Sequence, residues 1–135
     1  MYPTPLCCYE MAAKRILVVE DDADLRRMFR TALSLSGFEV EEAGDGVDAL
    51  RMIENRVPDL IVLDLVLRSL DGVSVQQELA AQAITRHIHI VIVTGSTIDT
   101  DSLDVACVLR KPVMPDELVR TVRHCIKSGA AASGA

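Results

Sequence analysis

The stretch Asp59-Leu60-Ile61-Val62-Leu63-Asp64 decides how the rest of the chain is read. Four consecutive aliphatic residues stand between two aspartates. Pro58 precedes the run, and Asp71-Gly72 marks a turn shortly after it. A short apolar run bounded by turn signals reads as a strand buried on both faces, as in a parallel sheet covered by helices. Its terminal Asp64 then stands at the carboxyl end of a central strand. In open α/β sheets that edge carries ligands and chemistry.

On the N-terminal side, Arg15-Ile16-Leu17-Val18-Val19 reads as a first strand and ends in Glu20-Asp21-Asp22. Asp22 or Asp24 caps a helix whose stripe is Leu25, Met28, Phe29, Ala32 and Leu33. Gly37 stops it. Phe38 to Glu41 alternates as a second strand, and Ala43-Gly44-Asp45-Gly46 is a turn. Val47, Leu50 and Ile53 line a second helix ending near Asn55. Beyond Asp64, residues 65–72 form a loop. Residues 73–83 form a third helix with Val75, Leu79 and Ala83 inward. His87 to Val93 is a fourth strand, ending at Thr94-Gly95. Residues 96–104 are polar and offer only a short or weak helix. Ala106 to Arg110 is a fifth strand, followed by Lys111-Pro112. Pro115 opens a last helix with the stripe Leu118, Val119, Val122 and Ile126. Alternating strands and helices give a (βα)5 doubly wound parallel sheet, class α/β, with helices on both faces. It forms one domain over residues 14–127. Residues 1–13 read as a flexible extension and residues 128–135 as a flexible tail.

Composition sets further bounds. Half of the 135 residues are hydrophobic, enough for one core, and two Tyr with two Phe make that core aliphatic. A net charge of -6 argues against nucleic acid or an anionic membrane as direct partner. No apolar run reaches membrane-spanning length, and no basic residue precedes Lys14, so a cytoplasmic protein is expected. Cys7, Cys8, Cys107 and Cys125 lack metal-ligand spacing and read as reduced thiols. His87 and His89 share a strand face without an evident third ligand. Arg26, Arg27 and Arg30 read as a solvated helix face on which a kinase could dock. No Gly-rich dinucleotide or Walker loop is present.

In such a sheet every strand ends on the same side. Glu20 and Asp21 follow strand one, Asp64 strand three, Thr94 strand four and Lys111 strand five. Each alone is an ordinary helix cap or turn; their joint arrival at one edge is informative. Three close carboxylates repel unless a cation intervenes. Mg²⁺ prefers oxygen ligands and phosphate oxygens. Asp21 and Asp64 then read as direct ligands, Glu20 as a direct or water-mediated one, and the backbone carbonyl of Val66 as a further one. Asp64 would attack phosphorus as a carboxylate nucleophile, Lys111 would neutralise the developing charge, and Thr94 would donate its hydroxyl to a phosphoryl oxygen.

The chain resembles the receiver domain of two-component response regulators over residues 14–127. The matching pieces are Ile16 to Asp22, Ala43 to Leu50, Asp59 to Asp64, Asp71-Gly72, Val93-Thr94 and Lys111-Pro112. The resemblance implies a flavodoxin-like sheet of order 2-1-3-4-5 and a cis Lys111-Pro112 bond. It also implies a stand-alone, chemotaxis-type phospho-acceptor switch rather than a conventional enzyme. Mg²⁺ would be held by Glu20, Asp21, Asp64 and Val66, Asp64 would be phosphorylated, and Thr94 and Lys111 would contact the phosphoryl group. The implied partners are a histidine kinase or phosphotransfer protein and a downstream protein target, with room for a homodimer. Three departures accompany it. Leu67-Arg68 replaces the usual Met-Pro, the span from Thr94 to Lys111 is short and lacks a Gly-Ala pair, and Val108 replaces the aromatic switch residue. The altered region 95–110 favours a rival reading as a pseudo-receiver, an interaction module that is never phosphorylated, and the intact set Glu20, Asp21, Asp64 and Lys111 opposes it. A small enzyme or flavin carrier on the same fold is opposed by the missing phosphate loop and the scarcity of aromatics.

Overall fold

The strand β3 (Leu60–Leu63) is buried at every position and runs through the middle of a five-stranded sheet. Its companions are β1 (Arg15–Val19), β2 (Glu39–Ala43), β4 (His89–Thr94) and β5 (Cys107–Arg110). All neighbours pair in parallel, in the order β2-β1-β3-β4-β5. The helices are α1 (Ala23–Leu35), α2 (Gly46–Asn55), α3 (Gly72–Ala81) and α4 (Pro115–Lys127). The structure, a computed structural model, describes residues 13–67, 70–82, 85–95, 100–101, 103 and 105–127. The expected N-terminal extension through residue 12, the tail, Arg68, Ala83, Ser96 and the helix expected over 96–104, apart from Thr100, Asp101 and Leu103, lie outside these residues.

The period of two along each strand sorts side chains onto two faces. Leu17, Val19, Ile61, Leu63, Ile90 and Ile92 pack with Ala49 and Ile53 of α2 and Val75 and Leu79 of α3. Ile16, Val18, Leu60, Val62, Val91 and Val93 pack with Phe29 and Leu33 of α1 and Leu118, Val122 and Cys125 of α4. Each large aliphatic side chain removed from water contributes about 1.5–3 kcal/mol. Leu103, Val105 and Val108 also close over the first cluster.

Aspartates start the three helices that follow β1, β2 and β3. Asp22 accepts from the amides of Asp24 and Leu25, Asp45 from Asp48, and Asp71 from Ser74. Each such cap contributes about 1 kcal/mol. At the far end of α1, Gly37 takes φ 99. Its amide reaches Ser34 O and that of Phe38 reaches Leu33 O, the paired bonds of a Schellman stop.

Several boundaries differ from the sequence expectation. β2 begins after Phe38 and continues to Ala43, because its register against β1 runs on through Val19. Val47 faces solvent, and Gly46, Ala49 and Ile53 form the buried side of α2. His87 is not in a strand: it sits in a turn in which the Ile88 amide donates to Thr85 O. His87 and His89 therefore do not share a strand face.

Candidate functional site

The β1–α1 turn, the end of β3 and the β5–α4 loop meet at the carboxyl edge of the sheet. Glu20, Asp21, Asp22, Asp64, Val66, Gly95 and Lys111 line one cleft there. Glu20 and Asp64 are almost wholly buried. The Lys111 ammonium bridges them, Nζ lying 2.9 Å from Glu20 Oε1 and 2.9 Å from Asp64 Oδ2. The other oxygen of Asp64, Oδ1, accepts from the Val66 amide at 3.1 Å. Glu20 Oε2 accepts from the Asp22 amide at 3.2 Å. The Lys111-Pro112 bond is cis.

Glu20, Asp21 and Asp64 each offer a carboxylate oxygen, and these lie within 4.8 Å of one another. Three hard oxygen donors at one edge, without a thiol or imidazole among them, fit Mg²⁺ rather than a soft ion. Thr94 stands at the same edge, at the end of β4, but is fully buried, and its neighbour Gly95 lines the cleft. The Thr94 carbonyl accepts from the Lys111 amide at 3.0 Å, which ties the two strand ends together.

Burial is the main reason that the Glu20 carboxyl lies above its ordinary 4.5, with the charge of Asp64 adding to it. Hydrogen bonds from Lys111 and the Asp22 amide oppose the rise. For Lys111 burial favours the neutral amine, but the hydrogen bonds and charges of Glu20 and Asp64 outweigh it and raise the ammonium above 10.5. Lys111 thus stays charged, and Glu20 takes up a proton more readily than a solvated glutamate. A carboxyl raised in the folded state stabilises the fold below its unfolded value and loses that contribution as pH climbs through the folded one. In metal-free protein, the stability of wild type relative to Glu20→Gln is therefore expected to fall from pH 4.5 toward neutrality. Urea unfolding in chelator at several pH values checks this, and a flat difference would contradict it.

Two contributors were not assigned from sequence. Gly72 packs on the backbone of Asp64: a Cβ there would lie 2.6 Å from Leu65 Cα and 2.9 Å from Asp64 C. Arg26 and Arg30, read as a solvated face, both ion-pair with Glu42 of β2, and Arg26 also donates to the Glu20 carbonyl. Arg27, its side chain 67% exposed, and the exposed Arg30 still fit that reading, whereas the half-buried Arg26 does not.

Residues 16–123 match the response regulator receiver domain. The chain belongs to that family. As a receiver domain it is part of two-component signalling, in which receivers interact with histidine kinases, and phosphoryl acceptance is general to the family. Among curated relatives, the DNA-binding response regulator MtrA of Mycolicibacterium paratuberculosis is 38% identical over 118 residues, 82% of this chain and 50% of that protein. The probable transcriptional regulator ycf27 of Porphyridium aerugineum is 34% identical over 124 residues, 87% of this chain and 50% of that protein. The receiver chain thus spans about half the length of these relatives. The CheY-like receiver domain protein of Methanospirillum hungatei JF-1 superposes with a TM-score of 0.82 over 89% of this chain and 98% of that one, at 23% identity, a likeness of fold alone. The receiver domain of Francisella response regulator 1452 gives 0.76 at 27% identity, over 84% of this chain and 97% of that one. No helix among the described residues is long and apolar enough to cross a membrane.

Proposed function

We propose that this receiver accepts a phosphoryl group on Asp64 from a phosphohistidine of a histidine kinase or phosphotransfer protein. The reaction is Mg²⁺-dependent, and the phosphorylated form switches binding to a downstream protein. The observation that carries this reading is the Lys111 ammonium, 2.9 Å from both Glu20 and Asp64 at the end of the central strand. A lysine on two buried carboxylates is a cation poised where phosphoryl oxygens would arrive.

In the proposed transfer an Asp64 oxygen bonds to phosphorus as the bond from phosphorus to the donor imidazole breaks. The imidazole leaves with that electron pair and takes up a proton. Lys111 turns from the carboxylates toward the phosphoryl oxygens and offsets their charge. Thr94 donates its hydroxyl to one of them. Glu20, Asp21, Asp64 and the Val66 carbonyl would hold Mg²⁺, which when bound neutralises phosphoryl charge. Attack of water on phosphorus returns the Asp64 carboxylate and inorganic phosphate. The phosphoryl group adds about 1.5 to 2 negative charges, enough to bias the Thr94 end of β4 and the segment beyond it. A net charge of -6 favours protein over nucleic-acid partners for this domain.

Intact mass after incubation with Mg²⁺ and acetyl phosphate tests the reading. A phosphoryl adduct is expected on wild type and not on Asp64→Asn. Folded wild type that gains no adduct and binds no beryllofluoride would instead be a pseudo-receiver.

A further inference from the structure

Glu20 lies just beyond β1, where sheet pairing runs out. Its amide still reaches Ala43 O at 3.1 Å. Its carbonyl accepts from Arg26 Nη1 at 2.7 Å. Arg26 sits on the first turns of α1, and a helical side chain leans toward its own N-terminus, so it reaches back over the β1–α1 turn. Its other arm is fixed as well, Nε donating to Glu42 Oε1 at 3.0 Å. Glu42 is in turn shared with Arg30. Only 21% of the Arg26 side chain is exposed.

The oxygen that Arg26 grips belongs to the peptide linking Glu20 to Asp21. Rotation of that peptide would swing the Asp21 side chain relative to Glu20. These are two of the three carboxylates whose oxygens lie within 4.8 Å of one another. We infer that Arg26, anchored by Glu42, is a positioning residue that sets the spacing of Glu20 and Asp21 for a divalent cation. The inference rests on the Mg²⁺ site proposed above.

Charge and geometry make opposite forecasts here. If Arg26 acted only as a nearby positive charge, its removal would relieve repulsion and tighten Mg²⁺ binding. If it positions the turn, its removal loosens two ligands and weakens binding, as loss of a partner that orients metal ligands generally does by about 10–100-fold. Glu42, shared with Arg30, offsets only part of the guanidinium charge, but the direct bond to the Glu20 carbonyl acts on the ligand-bearing peptide itself, so the geometric effect is expected to dominate.

Calorimetric titration of the metal-free chain with Mg²⁺, for wild type, Arg26→Ala and Arg26→Lys, decides between them. Thermal midpoints in chelator separate loss of fold from loss of affinity. Arg26→Ala is expected to bind about tenfold more weakly, with part of the loss recovered in Arg26→Lys, which keeps the charge but not the two-armed grip. Unchanged or tighter binding by Arg26→Ala would overturn the proposal. Should Arg26→Ala not fold, Arg26→Lys decides: several-fold weaker binding supports the proposal, and wild-type affinity overturns it. If wild type binds no Mg²⁺, the cation site falls and this role with it. Wild-type binding with unaffected variants removes only the role of Arg26.

Discussion

Lys111→Met is expected to slow phosphorylation by acetyl phosphate by about 10²–10³-fold, the usual effect of removing one preorganised group that meets developing charge. Met keeps much of the aliphatic stem and removes the ammonium, so packing is disturbed less than in an alanine variant. Two consequences follow from the 2.9 Å contacts to Glu20 and Asp64. Under the proposed mechanism the transferring phosphoryl oxygens lose the cation that offsets their charge. The two buried carboxylates also face each other with no shared counterion. The wild-type ammonium is raised above 10.5 in the fold, so its stabilisation is fully present below that pH and is lost as pH climbs through the raised value. At neutral pH Lys111→Met therefore loses this contribution, and the loss shrinks on acidification as Glu20 protonates. Time-resolved intact mass measures the first effect and urea unfolding against pH the second. A phosphorylation rate close to wild type would remove Lys111 from the mechanism.

Gly72→Ala is expected to destabilise the fold by about 3 kcal/mol or more, since nothing flexible stands in the way of the new methyl group. It would press on the Asp64 carbonyl, 2.6 Å from Leu65 Cα and 2.9 Å from Asp64 C, all of it backbone. The Gly72 amide also donates to Leu65 O at 3.0 Å, so α3 cannot slide away without losing that bond. Gly37→Ala is the matched comparison. A Cβ there meets nothing within 4 Å, and the penalty is only that of φ 99, about 1–2 kcal/mol. Urea midpoints of the two variants should separate clearly. Gly72→Ala also displaces the residue proposed to be phosphorylated, so its acetyl phosphate adduct should be lost along with its stability. A midpoint for Gly72→Ala at or above that of Gly37→Ala would refute the close-contact argument.

The strands of the central sheet were legible because aliphatic runs ending in Asp, Glu or Thr leave little alternative to a parallel strand with polar groups at one edge. Edges were harder. β2 carries three glutamates, Glu39, Glu41 and Glu42, so its apolar signal faded before the strand did. His87 looked like strand because the alternation of His87-Ile88-His89-Ile90 matches a period of two, and only the turn bond to Thr85 separates it. The meeting of Glu20, Asp21, Asp64 and Lys111 followed from topology alone, since every parallel strand delivers its end to one side. Sequence spacing says nothing about reach, however. Three arginines on one helix read alike, yet Arg26 and Arg30 turn to Glu42 while Arg27 points outward. Thr94 was placed at the right edge, but its complete burial was not, because depth depends on what covers a strand end.

The alternation along β1, β3 and β4 makes the sheet a partition one backbone thick between two separately filled compartments. Phe29 and Ile53 belong to different clusters on opposite sides of the sheet, so changes in the two compartments should be close to additive. One side can therefore drift while the other stays fixed. Val108, standing where an aromatic was expected, sits in the compartment closed by Leu103 and Val105. At the centre of that wall β3 runs straight into Asp64.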